Sequence, residues 1–168
     1  MRVLATVSAA LIVAGAGYSD ALEAKGVNQI ASLSSTAALA AASAAKDACS
    51  KMGFHVSVTV VDAAGVVLAT LRDDGAAPHT VAASQRKAYT ALSTRMPTSQ
   101  MAKIVSANPD AFGLRQIDGL LILSGGLPIK AGESVVGAIG VSGAPGSEFD
   151  EKCGGAGLAS IAEGLDAK

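Results

Sequence analysis

The sequence predicts a single α+β domain in which helices pack against an antiparallel sheet. Two stretches predict β-hairpins, because in residues 56–72 and 120–141 two apolar runs flank a turn rich in glycine or charge. Helical segments precede, separate and follow these hairpins, and the strand–helix–strand alternation typical of a parallel sheet is missing. A length of 168 residues and a hydrophobic content of 50% suffice for one domain with its own core.

An alanine-rich helix and a hairpin form the first half of the predicted domain. Residues 34–36 are candidate N-caps, alanine is the best helix former, and Gly53 is a suitable stop, which together predict a helix over 36–52. Residues 56–61 alternate between apolar and polar types with period two, as half-buried strands do. A turn then leads to a second strand over 66–72.

Helix breakers and caps divide the second half. Pro97 ends one helix, and residues 147–150 resemble a capping box that opens the last one. The apolar run 120–123 predicts a short buried strand, and residues 125–128 predict a glycine-rich turn after it. The predicted elements of this half are helices over 80–94, 98–105 and 147–165, and strands over 120–123 and 135–141.

The N-terminus predicts an export signal. Arg2 is followed by the apolar run 3–13, whose 11 residues are too few to span a bilayer as an ordinary anchor. A buried N-terminal helix is the alternative interpretation. The signal is expected within residues 1–24, with cleavage after Ala16, Ala21 or Ala24, and it implies a periplasmic or secreted domain over 25–168.

Composition excludes several classes of function. The formal net charge of −1 offers no basic surplus for a phosphate backbone, which argues against nucleic acid as a partner. Two histidines and two cysteines are too few for a stand-alone zinc site. In an oxidising compartment Cys49 and Cys153 form either a disulfide or two buried thiols, and the sequence leaves both open. Neither a phosphate loop nor a dinucleotide fingerprint is present.

Several stretches, in order, resemble one family. The pattern is similar to that of the GlcG/HbpS family, which includes the C-terminal domain of PduO-type proteins, and it extends from about residue 30 to residue 165. The stretches that carry the resemblance are residues 58–65 (VTVVDAAG), 74–76 (DGA), 86–91 (RKAYTA), 125–129 (GGLPI), 136–144 (VGAIGVSGA) and 150–153 (DEKC).

The resemblance implies a profilin-like fold, in which an antiparallel sheet of about five strands has helices on both faces. It also implies a homo-oligomer, a dimer or larger, and the binding of a tetrapyrrole. Haem is the favoured tetrapyrrole, and a corrinoid is less favoured. Family membership alone does not settle function. Three hypotheses therefore remain: a haem carrier, scavenger or sensor; an enzyme or enzyme accessory for a small organic acid or aromatic metabolite; and a ligand-free oligomeric module.

His79 is the predicted iron ligand. A haem iron needs an axial donor such as neutral imidazole. The position of His79 at the start of a predicted helix disfavours the charged imidazolium, and Pro78 restrains the backbone before it. The alternative is that His79 only caps the helix. His55, ahead of the first strand, is expected to lie at a strand edge without a metal role.

The helix after His79 predicts a platform for the macrocycle. Helical spacing places Ala82, Ala83, Arg86 and Thr90 on the face of His79, where the two alanines would leave a shallow slot. Arg86 and Lys87 would pair with haem propionates, or else be solvated. Tyr89 would ligate the iron or stack on the ring, with a packing role as the alternative.

Overall fold

The fold is given by a computed structural model, which describes residues 26 and 28–165. The order of elements agrees with the sequence prediction, and the ends of most helices and strands lie within two residues of it. In chain order they are α1 (Ser35–Lys51), β1 (Ser57–Asp62), β2 (Val67–Arg72), α2 (His79–Thr94), α3 (Thr98–Ala107), a 3₁₀ helix (Pro109–Gln116), β3 (Gly126–Ala131), β4 (Ser134–Ser142) and α4 (Ser147–Leu165). The predicted export signal lies outside the described residues.

A four-stranded antiparallel sheet in the order β2-β1-β4-β3 forms the centre of the domain. The α+β class and the antiparallel pairing are confirmed, but the described residues form four strands where about five were expected. The prediction of a strand over 120–123 is wrong. Leu120 and Ile122 are buried, so the apolar signal was real, but they lie in a loop, and the third strand begins at Gly126, in the predicted turn. This strand is at the sheet edge, where Pro128 is tolerated.

One face of the sheet carries the main hydrophobic core. The side chains of Val58 and Val60 point from β1 into a cluster with α1 and α4, which confirms the period-two pattern. The two helices lie so close together that a methyl group at Gly157 of α4 would be 2.6 Å from the carbonyl oxygen of Ala41 of α1. A disulfide between Cys49 of α1 and Cys153 of α4, with 5.5 Å between Cα atoms, joins them covalently.

The other face of the sheet is covered by α2, so helices pack on both faces as predicted. The contact combines a small apolar cluster of Val61, Ala88, Ala91 and Ala138 with buried hydroxyl groups. Ser57 and Thr59 of β1 exchange hydrogen bonds of 2.7 and 2.8 Å with Thr80 and Ser84 of α2. Gly140 of β4 lies directly under the backbone of α2, where a Cβ atom would collide with the carbonyl oxygen of Ser84. Gly140 therefore permits close packing of α2 on the sheet.

A further small cluster lies around α3. Met101 and Val105 of α3 pack with Ile122 and with the 3₁₀ helix, an element that the sequence signals did not predict. Searching residues 26 and 28–165 finds no helix that is both long and apolar enough to cross a membrane.

Candidate functional site

An open cleft lies at one end of the sheet, where α1 and β4 end and α2 and α4 begin. Its volume is about 640 Å³, within the range of small-molecule sites. The cleft brings both histidines of the chain together, His55 from the segment after α1 and His79 from the first residue of α2. Apolar side chains of Phe54, Leu123 and Pro145 contribute to its walls.

His55 is held by a carboxylate. Its Nδ1 atom lies 2.6 Å from Oδ1 of Asp73, and its side chain is 62% exposed. Asp73 is fixed in turn, because its carboxylate accepts hydrogen bonds from the Ser50 hydroxyl (3.2 Å) and the Gly75 amide (3.3 Å). The hydrogen bond from His55 holds the pKa of the Asp73 carboxyl below its usual range.

The backbone of Gly75 packs against the same imidazole. A Cβ atom at Gly75 would lie 2.7 Å from Cγ of His55, so only glycine fits there without moving the ring. With Nδ1 directed at Asp73, Nε2 is the ring nitrogen left for a ligand. His55 precedes β1 by two residues, as the sequence indicates, and it lines the same cleft as His79.

His79 is exposed at the N-terminus of α2, as the sequence predicted. Its ring takes part in no hydrogen bond among the described residues, and no side chain caps the helix there, so the described residues do not support the capping interpretation. His79 is therefore an accessible imidazole on the rim of the cleft.

A buried ion pair forms the floor of the cleft. The ammonium group of Lys87 is 2.8 Å from Oδ2 of Asp150 and 3.0 Å from the carbonyl oxygen of Val141, and the side chains of the pair are 1% and 4% exposed. Burial raises the pKa of Asp150, while the attraction of Lys87 opposes the rise. Lys87 is neither solvated nor placed for a propionate, which corrects both interpretations of this residue.

The predicted platform on α2 is not a single slot. Arg86 and Tyr89 line a separate cleft of about 380 Å³ with Gly65 and Gly119. Arg86 donates a hydrogen bond to the carbonyl oxygen of Leu120. Tyr89 packs between the two glycines, which agrees with the packing alternative.

The remaining platform residues also lie apart from the main cleft. Thr90 is fully buried and accepts a hydrogen bond of 2.8 Å from the amide of Leu121. Ala82 is exposed and Ala83 half-buried, and neither lines the cleft that contains His79. The face of α2 after His79 is thus partly covered by the loop 117–123. Helical spacing alone does not predict the position of this loop.

The main cleft has the features that a haem needs from a protein. It offers imidazole donors, an apolar wall and a volume of suitable size, and it is open, so that the charged edge of a porphyrin can remain in water. Its charged lining residues other than the histidines are Lys87 and Asp150, which neutralise each other. The residues present therefore fit the iron and the ring, and they leave the propionates to solvent.

Comparison with known proteins agrees with the fold and the sequence pattern. A family model described as "Haem degrading protein HbpS-like" matches residues 33–159. The chain belongs to the HbpS-like family. Protein GlcG of Escherichia coli K12 is 34% identical over 110 residues, which cover 66% of this chain and 81% of GlcG.

Solved structures extend the agreement to three dimensions. HbpS from Streptomyces reticuli, determined as a double mutant, is 42% identical with a TM-score of 0.77, covering 92% of this chain and 99% of that one. The PduOC structure, described as a haem complex, shares the fold at 24% identity and a TM-score of 0.71, covering 77% of this chain and 95% of that one. The resemblance inferred from the motifs is therefore confirmed.

Proposed function

We propose that this protein binds haem in the cleft between His55 and His79, with the iron held by an imidazole of the rim. The observation that carries the proposal is that both imidazoles line one open, partly apolar cleft, in a chain of the HbpS-like family. His79 was the donor expected from the sequence, and its accessible ring on the cleft suits the role. Haem is the favoured ligand, and a corrinoid is the second choice.

Two matched tryptophan variants test where the ring binds. Ala77 is an exposed residue of the cleft wall, so Ala77→Trp should obstruct the cleft without disturbing the core. Ala82 is exposed on α2 outside the cleft, so Ala82→Trp is the control, and it would block the platform predicted from the sequence. Haemin titration followed by the Soret band should show saturable binding for wild type and Ala82→Trp, and weaker binding for Ala77→Trp. The reverse order, or no binding by wild type, would overturn the proposal.

We further propose that the protein acts outside the cytoplasm, where it carries, scavenges or senses haem. The supporting features are the apolar N-terminal run 3–13 and the disulfide between Cys49 and Cys153, a bond typical of oxidising compartments. Expression of the full chain in a bacterium, followed by fractionation and N-terminal sequencing, tests this. A mature N-terminus after residue 16, 21 or 24 is expected, and an intact cytoplasmic chain would contradict export.

A homo-oligomer is part of the same proposal. Exposed apolar side chains of Ile104, Phe112 and Ile117 follow one another along α3, the 3₁₀ helix and the residue after it, and a second copy would bury them. Light scattering of the purified protein should give a mass of at least two chains, whereas a monomer at micromolar concentration would exclude this arrangement.

The pairing of His55 with Asp73 favours a second candidate, an enzyme acting on a small organic acid or aromatic metabolite. A carboxylate-oriented imidazole is the arrangement that enzymes use for general base catalysis. Turnover of such a metabolite by haem-free protein, abolished in His55→Ala, would support this function over haem binding.

A further inference from the structure

We propose that His55, held by Asp73, is a ligand of the haem iron, and that His79 is not required for ligation. The inference rests on the proposed function and goes further, because it assigns the iron to the histidine that the sequence pattern did not favour. The relevant difference between the two rings is in their support: His55 is hydrogen-bonded and packed, whereas the ring of His79 has no hydrogen bond among residues 28–165.

The hydrogen bond to Asp73 selects the tautomer that a metal needs. When Nδ1–H of His55 donates to the carboxylate, the lone pair of the neutral ring resides on Nε2. Histidines that ligate metals commonly donate their other ring nitrogen to a carboxylate, which fixes the ring and makes the ligating nitrogen a stronger donor. His55 already has this arrangement in the ligand-free fold.

The surroundings of the pair keep it rigid. Ser50 at the end of α1 and the amide of Gly75 both donate to Asp73, while the Gly75 backbone blocks one side of the ring. A donor that is already oriented loses little conformational freedom on binding, and binding is then tighter. His79 would have to be immobilised by the ligand itself.

Asp73 acts on the iron only through His55, so it is a positioning residue. The adjacent Asp74 is exposed, and no hydrogen bond or ion pair of its side chain occurs among the described residues, which makes Asp74→Asn a control of equal charge change. Loss of such an outer partner lowers metal affinity about 10- to 100-fold. We expect this range for Asp73→Asn and no change for Asp74→Asn.

The test combines spectra of the haem complex with a measurement on the haem-free protein. In the haem-free protein, nitrogen-detected NMR should find the Nδ1–H tautomer at His55 in wild type and a tautomer mixture in Asp73→Asn. In the complex, His55→Ala should lose the imidazole-ligated spectrum, and added imidazole should restore it, while His79→Ala keeps it. The iron–histidine stretching frequency should fall in Asp73→Asn, because its neutral amide makes His55 a weaker donor.

The outcomes separate this inference from the proposed function. If wild type binds haemin and His55→Ala has an unchanged spectrum and affinity, His55 is not a ligand, although haem binding stands. An Nε2–H tautomer at His55 in the haem-free protein would also overturn the assignment. If wild type gives no haem complex at all, the proposed function and this inference fail together.

Discussion

The ion pair under the cleft provides a quantitative test of the fold. Lys87→Met removes the ammonium group that contacts Asp150 and the Val141 carbonyl, and leaves a carboxylate that is 4% exposed. Breaking a buried pair by removing one partner typically costs about 3–5 kcal/mol, a large share of the roughly 5–15 kcal/mol that stabilise a domain. Urea unfolding at pH 7 measures this loss. The double variant Lys87→Met/Asp150→Leu should recover most of it, because apolar replacement of both partners is often near neutral.

The pH dependence of Lys87→Met follows from the direction of the Asp150 shift. Burial already raises the pKa of Asp150, and without the ammonium group it rises further. A carboxyl with a raised native pKa favours folding below its unfolded pKa, and this contribution is lost as pH rises through the native value. The deficit of the variant relative to wild type should therefore shrink as pH falls from 7 towards 4. A loss below about 1 kcal/mol at pH 7, or one equal at both pH values, would refute the assigned role of the pair.

Three further predictions concern other parts of the molecule. The disulfide between α1 and α4 closes a separation of 104 residues, so replacing both cysteines by serine should cost about 2–4 kcal/mol in thermal or urea unfolding, and an unchanged midpoint would contradict this. Gly140→Ala should destabilise by about 1–3 kcal/mol, because α2 must move, whereas Gly155→Ala in open space on α4 should be neutral or slightly stabilising. The pKa of Asp73 in the folded protein lies below its ordinary value of 3.8. The ionised carboxylate therefore stabilises the fold above pH 3.8, and this stabilisation is lost as the pH falls through the pKa of the folded protein. NMR titration of the carboxyl checks the direction of the shift.

The local signals in the sequence were sufficient for most of the fold. Alternation in residues 56–61 correctly places Val58 and Val60 on one face and Thr59 on the other. It predicts a half-buried strand, however, whereas both faces are buried, because α2 covers the polar face. The error at residues 120–123 has a physical cause. Four consecutive apolar residues report burial but not backbone pairing, and here the burial comes from packing beside α2 and α3 in a loop.

The site was predictable only in part. His79 could be recognised from its place before a helix, and the structure does put it on a cleft. The pairing of His55 with Asp73 joins residues 18 positions apart, and it depends on how the end of α1 meets the loop after β2, which no spacing rule contains. The partner of Lys87, 63 positions away on α4, is equally remote. Both contacts are tertiary, so a single sequence gives no signal for them.

Haemin titration of the double variant His55→Ala/His79→Ala beside wild type tests the central claim most directly. Both rings are exposed, so their removal should leave folding intact, which circular dichroism can verify. The account predicts a saturable Soret shift at one haem per chain for wild type and its loss in the double variant. An identical spectrum and affinity in the two proteins would show that the cleft between His55 and His79 is not where the iron is held.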